Sequence, residues 1–306
     1  MGIPAPSPKK SPVDPDTPAA VHPAASPRKP AASTSRPQSK QPKLYETDRS
    51  RYVGPQRWQT HWWARQIRAL WRRRAYTRWV HEACTELHIR GDKHLDAVQG
   101  PCILIANHQS HLDTLVTYES LPARIRRRLF FGAAQDRWFL KGQKKTVLKP
   151  WYQSLILGNF PILRGGGSEA LSYAGELLSK GEHVFLFPEG TRAQGQFLGQ
   201  FKHGVALLAL RCNVPVLPIY LHGLKALRPK GSQGVVPGPA TVEFLAPVRF
   251  PQGMDVGAAT RILEDRMNAA HVRYSRDADS RLANPAGADD AAADGAVAEG
   301  NSSRAA

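Results

Sequence analysis

Residues 49–81 contain no aspartate, no glutamate and no lysine, and three further shortages frame the rest of the chain. Cysteine is the first. Cys84, Cys102 and Cys212 stand far apart with no C-x-x-C pair, which argues against a disulfide framework or a zinc site and suits a reducing compartment. Long hydrophobic runs are the second: the longest, such as Val214 to Leu221, have the length of a core strand. None approaches the ~18–20 residues that cross a bilayer, so any meeting with a membrane is expected to be peripheral. Met1 to Lys10 is proline-rich without an apolar stretch, and Pro6 stands where a myristoylation motif needs Ser or Thr, so neither a secretory signal nor that lipid anchor is expected. Large apolar side chains are the third, and they are scarce at both ends. Residues 1–44 hold 11 of the 25 prolines and residues 276–306 are mostly Ala, Asp and Gly. Such stretches cannot bury enough apolar surface to offset their ordering entropy, so both are expected to be disordered tails.

What is present is positive charge. The net charge is +17 and the pI about 10.1, and residues 1–100 carry 18 Lys+Arg against 8 Asp+Glu. That balance calls for an anionic partner: a membrane, a phosphorylated substrate or nucleic acid. The acid-free stretch holds nine arginines and five of the seven tryptophans. On a helical wheel Trp58, Trp62, Ala69, Tyr76, Val80 and Leu87 share one face, with Arg74 and Arg78 opposite and Arg57 and Arg68 on the flank. Residues 45–85 therefore read as a basic amphipathic helical region, and aromatics at a polar–apolar boundary favour an anionic lipid surface. Two other readings stay open, a core-packing helix with a solvated arginine face and, least favoured, a nucleic-acid-binding segment.

From Leu87 short apolar runs alternate with helical stretches, as in an α/β domain over 86–275. Strands are expected at 102–106, 128–132, 160–163, 183–187, 214–220 and 241–245. Helices are expected from about Ser110, over 151–157, from a Ser168 cap to near Gly181, over 204–211, and over 258–271.

Four blocks carry chemistry. In Asn107-His108-Gln109-Ser110-His111-Leu112-Asp113, His108 and Asp113 are five apart, which is about 140° on an ideal helix. They meet only if His108 lies in the strand-to-helix turn and Asp113 in the first helical turn. Asp113 would then fix the ring's tautomer and leave the other nitrogen to accept a proton from an alcohol. Ser110 has capping-box spacing to Asp113 and reads as the helix cap. The plainer alternative is an acidic cap beside an ordinary loop histidine. The second block, Phe187-Pro188-Glu189-Gly190-Thr191-Arg192, makes a tight turn at a strand's carboxyl end, where open α/β sheets bind ligands. Arg192 offers a planar fork suited to phosphate, and Glu189 can fix that fork or a hydroxyl. In the third, Gly158 to Arg164, Arg164 precedes three glycines and is a further phosphate candidate or a surface arginine. The fourth, Val214-Pro215-Val216-Leu217-Pro218, reads as structural.

In this order the four blocks resemble the glycerolipid acyltransferase family that includes 1-acylglycerol-3-phosphate acyltransferases, whose marks are N-H-x-S-x-x-D, G-x-x-x-x-x-R, F-P-E-G-T-R and V-P-x-x-P. The resemblance covers about residues 86–250. It implies an α/β acyltransferase domain, a mixed central sheet flanked by helices, beside the basic helical extension and the tails. It implies His108 as general base with Asp113 orienting it, and Arg164, Glu189, Gly190, Thr191 and Arg192 binding the acceptor, with Asn107 and Ser110 structural. Acyl-CoA or an acyl-carrier protein would be the co-substrate, a lysophospholipid the acceptor, and the cytoplasmic face of the inner membrane the location. No further cofactor and no metal is expected, since no Cys/His cluster has ligand spacing. A protein nucleophile is not evident, so direct attack by the acceptor hydroxyl is expected. A non-catalytic lipid-binding module is the competing class, and complete His108 and Asp113 argue against it.

Overall fold

The computed structural model describes residues 49–192, 197–229, 232 and 234–283. The tail expected at 1–44 lies outside the described residues, as does most of the one expected at 276–306.

In chain order the elements are α1 (Trp62–Ala83), β1 (Cys84–Arg90), β2 (Ile103–Ala106), α2 (Asp113–Ser120), α3 (Ala123–Arg126), β3 (Leu129–Ala134), α4 (Gln135–Trp138), α5 (Pro150–Leu155), β4 (Asn159–Ile162), α6 (Ser172–Ser179), β5 (His183–Leu186), α7 (Gly204–Cys212), β6 (Val216–His222), α8 (Leu224–Leu227), β7 (Gly238–Phe244) and α9 (Val256–Ala283). The strands form one sheet in the order β1-β7-β6-β2-β5-β3-β4. All neighbours are parallel except β6 and β7, so the sheet is mixed, as expected.

Parallel strands with helices on both faces read as unbroken apolar runs, and β2, β5 and β6 do. Alternate residues feed two cores. Leu104, Phe131, Phe185, Leu217 and Ile219 pack with α1 and α2 on one face. Ile103, Phe130, Val184, Leu186 and Val216 pack with α6, α7 and α9 on the other. Each such side chain contributes about 1.5–3 kcal/mol when fully buried. Local signals stop the elements where expected: Pro150 opens α5, and Asn213 closes α7 in the left-handed region at φ 50°.

Four expectations need correction. The wheel's apolar face runs through Leu87, but the helix ends at Ala83 and Leu87 lies on β1, paired with Ala240 of β7. Within α1 the wheel puts Arg68 on the flank, yet Arg68 and Arg72 are buried with Ala64, Tyr76 and Val80, while Trp62 is exposed. Residues 167–171 form a 3-10 turn, so α6 starts at Ser172 and not after a cap at Ser168. The last helix continues to Ala283, past the expected domain end at 275; Gly and Pro are absent from that extension.

Backbone carbonyls hold the buried arginines, with Arg72 Nε left without a hydrogen-bond partner among the described residues. Arg68 donates to the carbonyls of Leu155 (3.0 Å), Gln59 (2.8 Å) and Ser154 (3.2 Å). Arg72 donates to those of Leu157 and Leu129, and its guanidinium lies 4.7 Å from the Tyr118 ring centroid. Burial, with Arg72 and Arg65 nearby, pulls the Arg68 guanidinium down to about 9. The two side chains fill the hollow of the Gly158 turn, where φ is +57° and an added Cβ would sit 2.3 Å from an Arg72 nitrogen. That turn leads directly into β4.

Candidate active site

β2 and β5 are parallel neighbours, with Ile105 opposite Leu186. His108 and Glu189 each lie three residues beyond that pair, so two successive turns at the sheet's carboxyl edge emerge side by side. Asn107 pins the first turn: its amide donates to the Leu221 carbonyl (2.9 Å) and accepts from the Leu221 N–H (2.8 Å) across on β6.

His108 and Asp113 meet in the geometry that their spacing requires. Asp113 opens α2, is fully buried, and its Oδ2 lies 2.8 Å from His108 Nδ1. The same carboxylate accepts the backbone N–H of Gln109 (2.7 Å) and of Ser110 (2.9 Å). Burial pushes its pKa above the ordinary carboxylate range, and the histidine and these N–H donors pull against that. Ser110 needs a correction as helix cap. Leu112 holds the N-cap position, and the Ser110 hydroxyl accepts from the Leu112 N–H (3.3 Å) and donates to the Arg228 carbonyl (3.3 Å). Only the half of the capping box in which Asp113 reaches back to the Ser110 N–H is made. The His108 ring stacks on Phe187 with centroids 3.8 Å apart and planes at 15°.

His108, Arg164, Gly190, Thr191 and Arg192 all line one cavity of about 640 Å³. Glu189 does not. It is 6% exposed, its Oε1 accepts the His108 N–H (3.0 Å), and its Oε2 accepts the Gly199 N–H (2.9 Å). Its carboxylate therefore ties the two turns to the 197–199 segment behind the cavity wall, with burial raising its pKa against those bonds. Arg164 lines the cavity with its fork already engaged by both carboxylate oxygens of Asp136 on α4. Arg192 has no carboxylate partner among the described residues. The Gly190 backbone, at φ +71°, favours glycine.

Sequence reading gave no role to several lining residues. Arg137, Trp138 and Lys202 belong to no block, and only the fold brings them in. His111 lies within the first block without an assigned part. Its imidazole is pushed down to about 4 by burial, then by Arg192, Arg137 and Arg228, so it is neutral near pH 7. Phe187 belongs to the second block, but its stacking partner is set by the β2–β5 pairing.

The cavity has two characters. Its lining includes Arg137, Arg164, Arg192 and Lys202, with no Asp or Glu among the described lining residues. It also includes apolar Phe131, Ile162, Leu171, Leu186 and Val205. Gly132 lies against the apolar part, where a Cβ would sit 2.4 Å from Ile162 Cδ1 and 2.6 Å from Leu186 Cδ2. Among the described residues no group of three His, Cys, Asp or Glu is placed to hold a metal ion.

Residues 86–222 match the family model described as Acyltransferase. Over 153 residues the chain is 34% identical to a chloroplastic 1-acyl-sn-glycerol-3-phosphate acyltransferase of Brassica napus, covering 48% of this chain and 40% of that protein. Over 171 residues it is 30% identical to the human 1-acyl-sn-glycerol-3-phosphate acyltransferase alpha, covering 53% and 54%. The chain thus spans about half the length of the curated relatives it matches. The crystal structure of the 1-acyl-sn-glycerophosphate acyltransferase from Thermotoga maritima superposes with a TM-score of 0.53 at 24% identity, over 69% of this chain and 79% of that one. That likeness bears on the fold.

Proposed function

We propose, from the match of residues 86–222 to the family model described as Acyltransferase, that the chain is an acyltransferase and moves a fatty acyl group from a thioester donor to a lysophospholipid hydroxyl. The donor is acyl-CoA or an acyl-carrier protein, and the foremost acceptor is 1-acyl-sn-glycerol-3-phosphate, in keeping with the names of the relatives. One observation carries the reading: His108, held through Nδ1 by Asp113, lines a cavity that also holds four cationic side chains and a set of apolar ones.

The chemistry follows from that arrangement. Two backbone N–H groups on the Asp113 carboxylate favour its charged form, which draws the imidazole proton to Nδ1. Nε2 then holds a free lone pair and removes the acceptor's hydroxyl proton. The oxygen attacks the thioester carbonyl carbon, and the tetrahedral intermediate collapses with cleavage of the C–S bond. The departing thiolate takes the proton back from the imidazolium, so no net proton is consumed. Arg192 and Lys202 bind the acceptor phosphate, and Arg164 adds charge from its Asp136 clamp. Ser110 is not a nucleophile in this scheme, because its hydroxyl is engaged by the Leu112 N–H and the Arg228 carbonyl. No helix among the described residues is long and apolar enough to cross a membrane. The exposed tryptophans and arginines of α1 suit peripheral contact with an anionic lipid surface, on the cytoplasmic face of the inner membrane.

The test is an assay of purified protein with labelled acyl-CoA, acyl-carrier protein and a panel of lyso-lipid and amino-lipid acceptors, alongside His108→Ala. Lysophosphatidic acid should be the preferred acceptor, and the variant should lose about 10²–10⁴ in rate while melting as the parent does. Near-parental activity of His108→Ala would remove the base from the scheme, and a trapped acyl-serine or ping-pong kinetics would overturn direct attack.

A further inference from the structure

The fold brings together two stretches of the chain that are free of aspartate and glutamate. The first is 49–81, which contains most of α1. The second is 137–168, which carries Arg137, Lys141, Lys144, Lys145, Lys149 and Arg164. They meet at α1 and α5. Trp71 stands edge-on to Tyr152 with centroids 6.0 Å apart, Trp151 lies 5.7 Å from the same ring, and Arg68 holds the carbonyls of Ser154 and Leu155.

Both stretches show apolar side chains to solvent. On α1 these include Leu70, 58% exposed, and Trp71; across the junction they are Val147 and Trp151, 48% and 47% exposed. Lys141, Lys144 and Lys145, just before Val147 in the chain, are exposed as well. A folded chain rarely leaves large apolar side chains bare in company unless something covers them. Rings and aliphatic groups interleaved with cations, and no acid, complement a bilayer whose surface is negative. Nucleic acid would use the cations and the rings, but would leave Leu70 and Val147 without a role. The second stretch also begins and ends at the cavity: Arg137 and Trp138 line it on one side of the segment, Asn159 and Arg164 on the other.

We propose that the Lys141–Trp151 segment and the outer face of α1 form a single docking surface for an anionic bilayer, set beside the cavity that takes the lyso-lipid. The proposal rests on the membrane-surface reading above and adds to it a second element, from the middle of the chain. The segment supplies the lysines that contact lipid phosphates, and its Val147 and Trp151 enter the headgroup layer with the α1 rings.

The experiment is co-sedimentation of the full chain with vesicles of equal parts phosphatidylglycerol and phosphatidylcholine, and with vesicles of phosphatidylcholine alone. The parent should bind the anionic vesicles preferentially. K141E/K144E/K145E should weaken that binding by at least about tenfold, and Trp151→Ala by several-fold. Both variants should keep the parental melting curve and the parental turnover of acceptor dispersed in detergent. Parental affinity of the triple variant for anionic vesicles overturns the proposal. So does a parent that binds duplex nucleic acid and neither kind of vesicle. Vesicle binding that depends on these lysines, in a protein that transfers no acyl group, would sustain the docking surface and refute the enzymatic reading; transfer without vesicle binding would do the reverse.

Discussion

The turn after β2 and the inner face of α1 both bury formal charge, and they satisfy it with opposite halves of the backbone. Asp113 and Glu189 are anions held by N–H groups of neighbouring turns. Arg68 and Arg72 are cations held by the carbonyls of Leu129, Leu155 and Leu157 around the Gly158 turn. Hydrogen bonds to charged groups contribute about 1.5–3 kcal/mol each, so both regions are rigid. The first, however, leaves one edge of the histidine uncommitted and facing a cavity, whereas the second turns its charge wholly inward. Burying charge to orient a reactive group and burying it to join two elements require the same physics. What separates them is whether an unsatisfied atom is left pointing at open space.

Four substitutions can break or sharpen that contrast. The largest effect is expected from Asp113→Asn, which keeps the shape but no longer dictates the tautomer of His108. Its kcat should fall by about 10²–10⁴, measured at saturating donor and acceptor, and a loss of less than tenfold would disconnect Asp113 from the chemistry. Arg72→Met should do the opposite. Stranding the carbonyls of Leu129 and Leu157 should cost about 2–4 kcal/mol of stability, a drop of roughly 5–10 °C in Tm, with turnover per folded molecule little changed. Arg192→Lys keeps the charge and loses the fork; the acceptor KM should rise about tenfold while the donor KM holds, and an unaltered acceptor KM would take Arg192 out of phosphate binding.

The effect that vanishes near neutrality is a pH dependence. His183 opens β5 almost fully buried, and burial with Arg128 and Arg124 nearby pushes its imidazole down to about 4. Folded-state depression means that the unfolded chain binds the extra proton first. His183 therefore costs nothing above about pH 6.5, and stability is lost as pH falls from there through about 4, by at most about 1.4 kcal/mol per pH unit. Chemical denaturation of His183→Gln across that range should show a shallower decline than the parent; parallel curves would mean that His183 titrates normally.

The sequence made β2 to β7 and the first block legible because their signals are local, whereas β1 went unread beneath the helical wheel. Unbroken apolar runs mark β2, β5 and β6, and a five-residue spacing admits only one way for His108 and Asp113 to meet. Glu189 was misread for a physical reason. A carboxylate beside a turn looks available until the β2 turn supplies the His108 N–H, 81 residues away in the chain. Arg68 and Arg72 were harder still, since a helical wheel assigns arginine to water unless carbonyl partners are known, and here those come mainly from 57 to 87 residues away. Arg137 and Lys202 carry no local mark, because what gathers them is the closure of the sheet around the cavity.

The shared rung between Ile105 and Leu186 makes the sheet a measuring device for the chemistry above it. Both arms of the site are counted off from that rung by equal numbers of residues, so loops elsewhere can lengthen or shorten without disturbing either arm. One residue added between the rung and a turn would instead advance that arm by about 3.3 Å and swing its side chains to the other face of the sheet. The histidine would then lose its aromatic backing on Phe187 and the Glu189 bond that ties the two turns. Variation among sequences built on this plan should therefore gather outside 105–108 and 186–189.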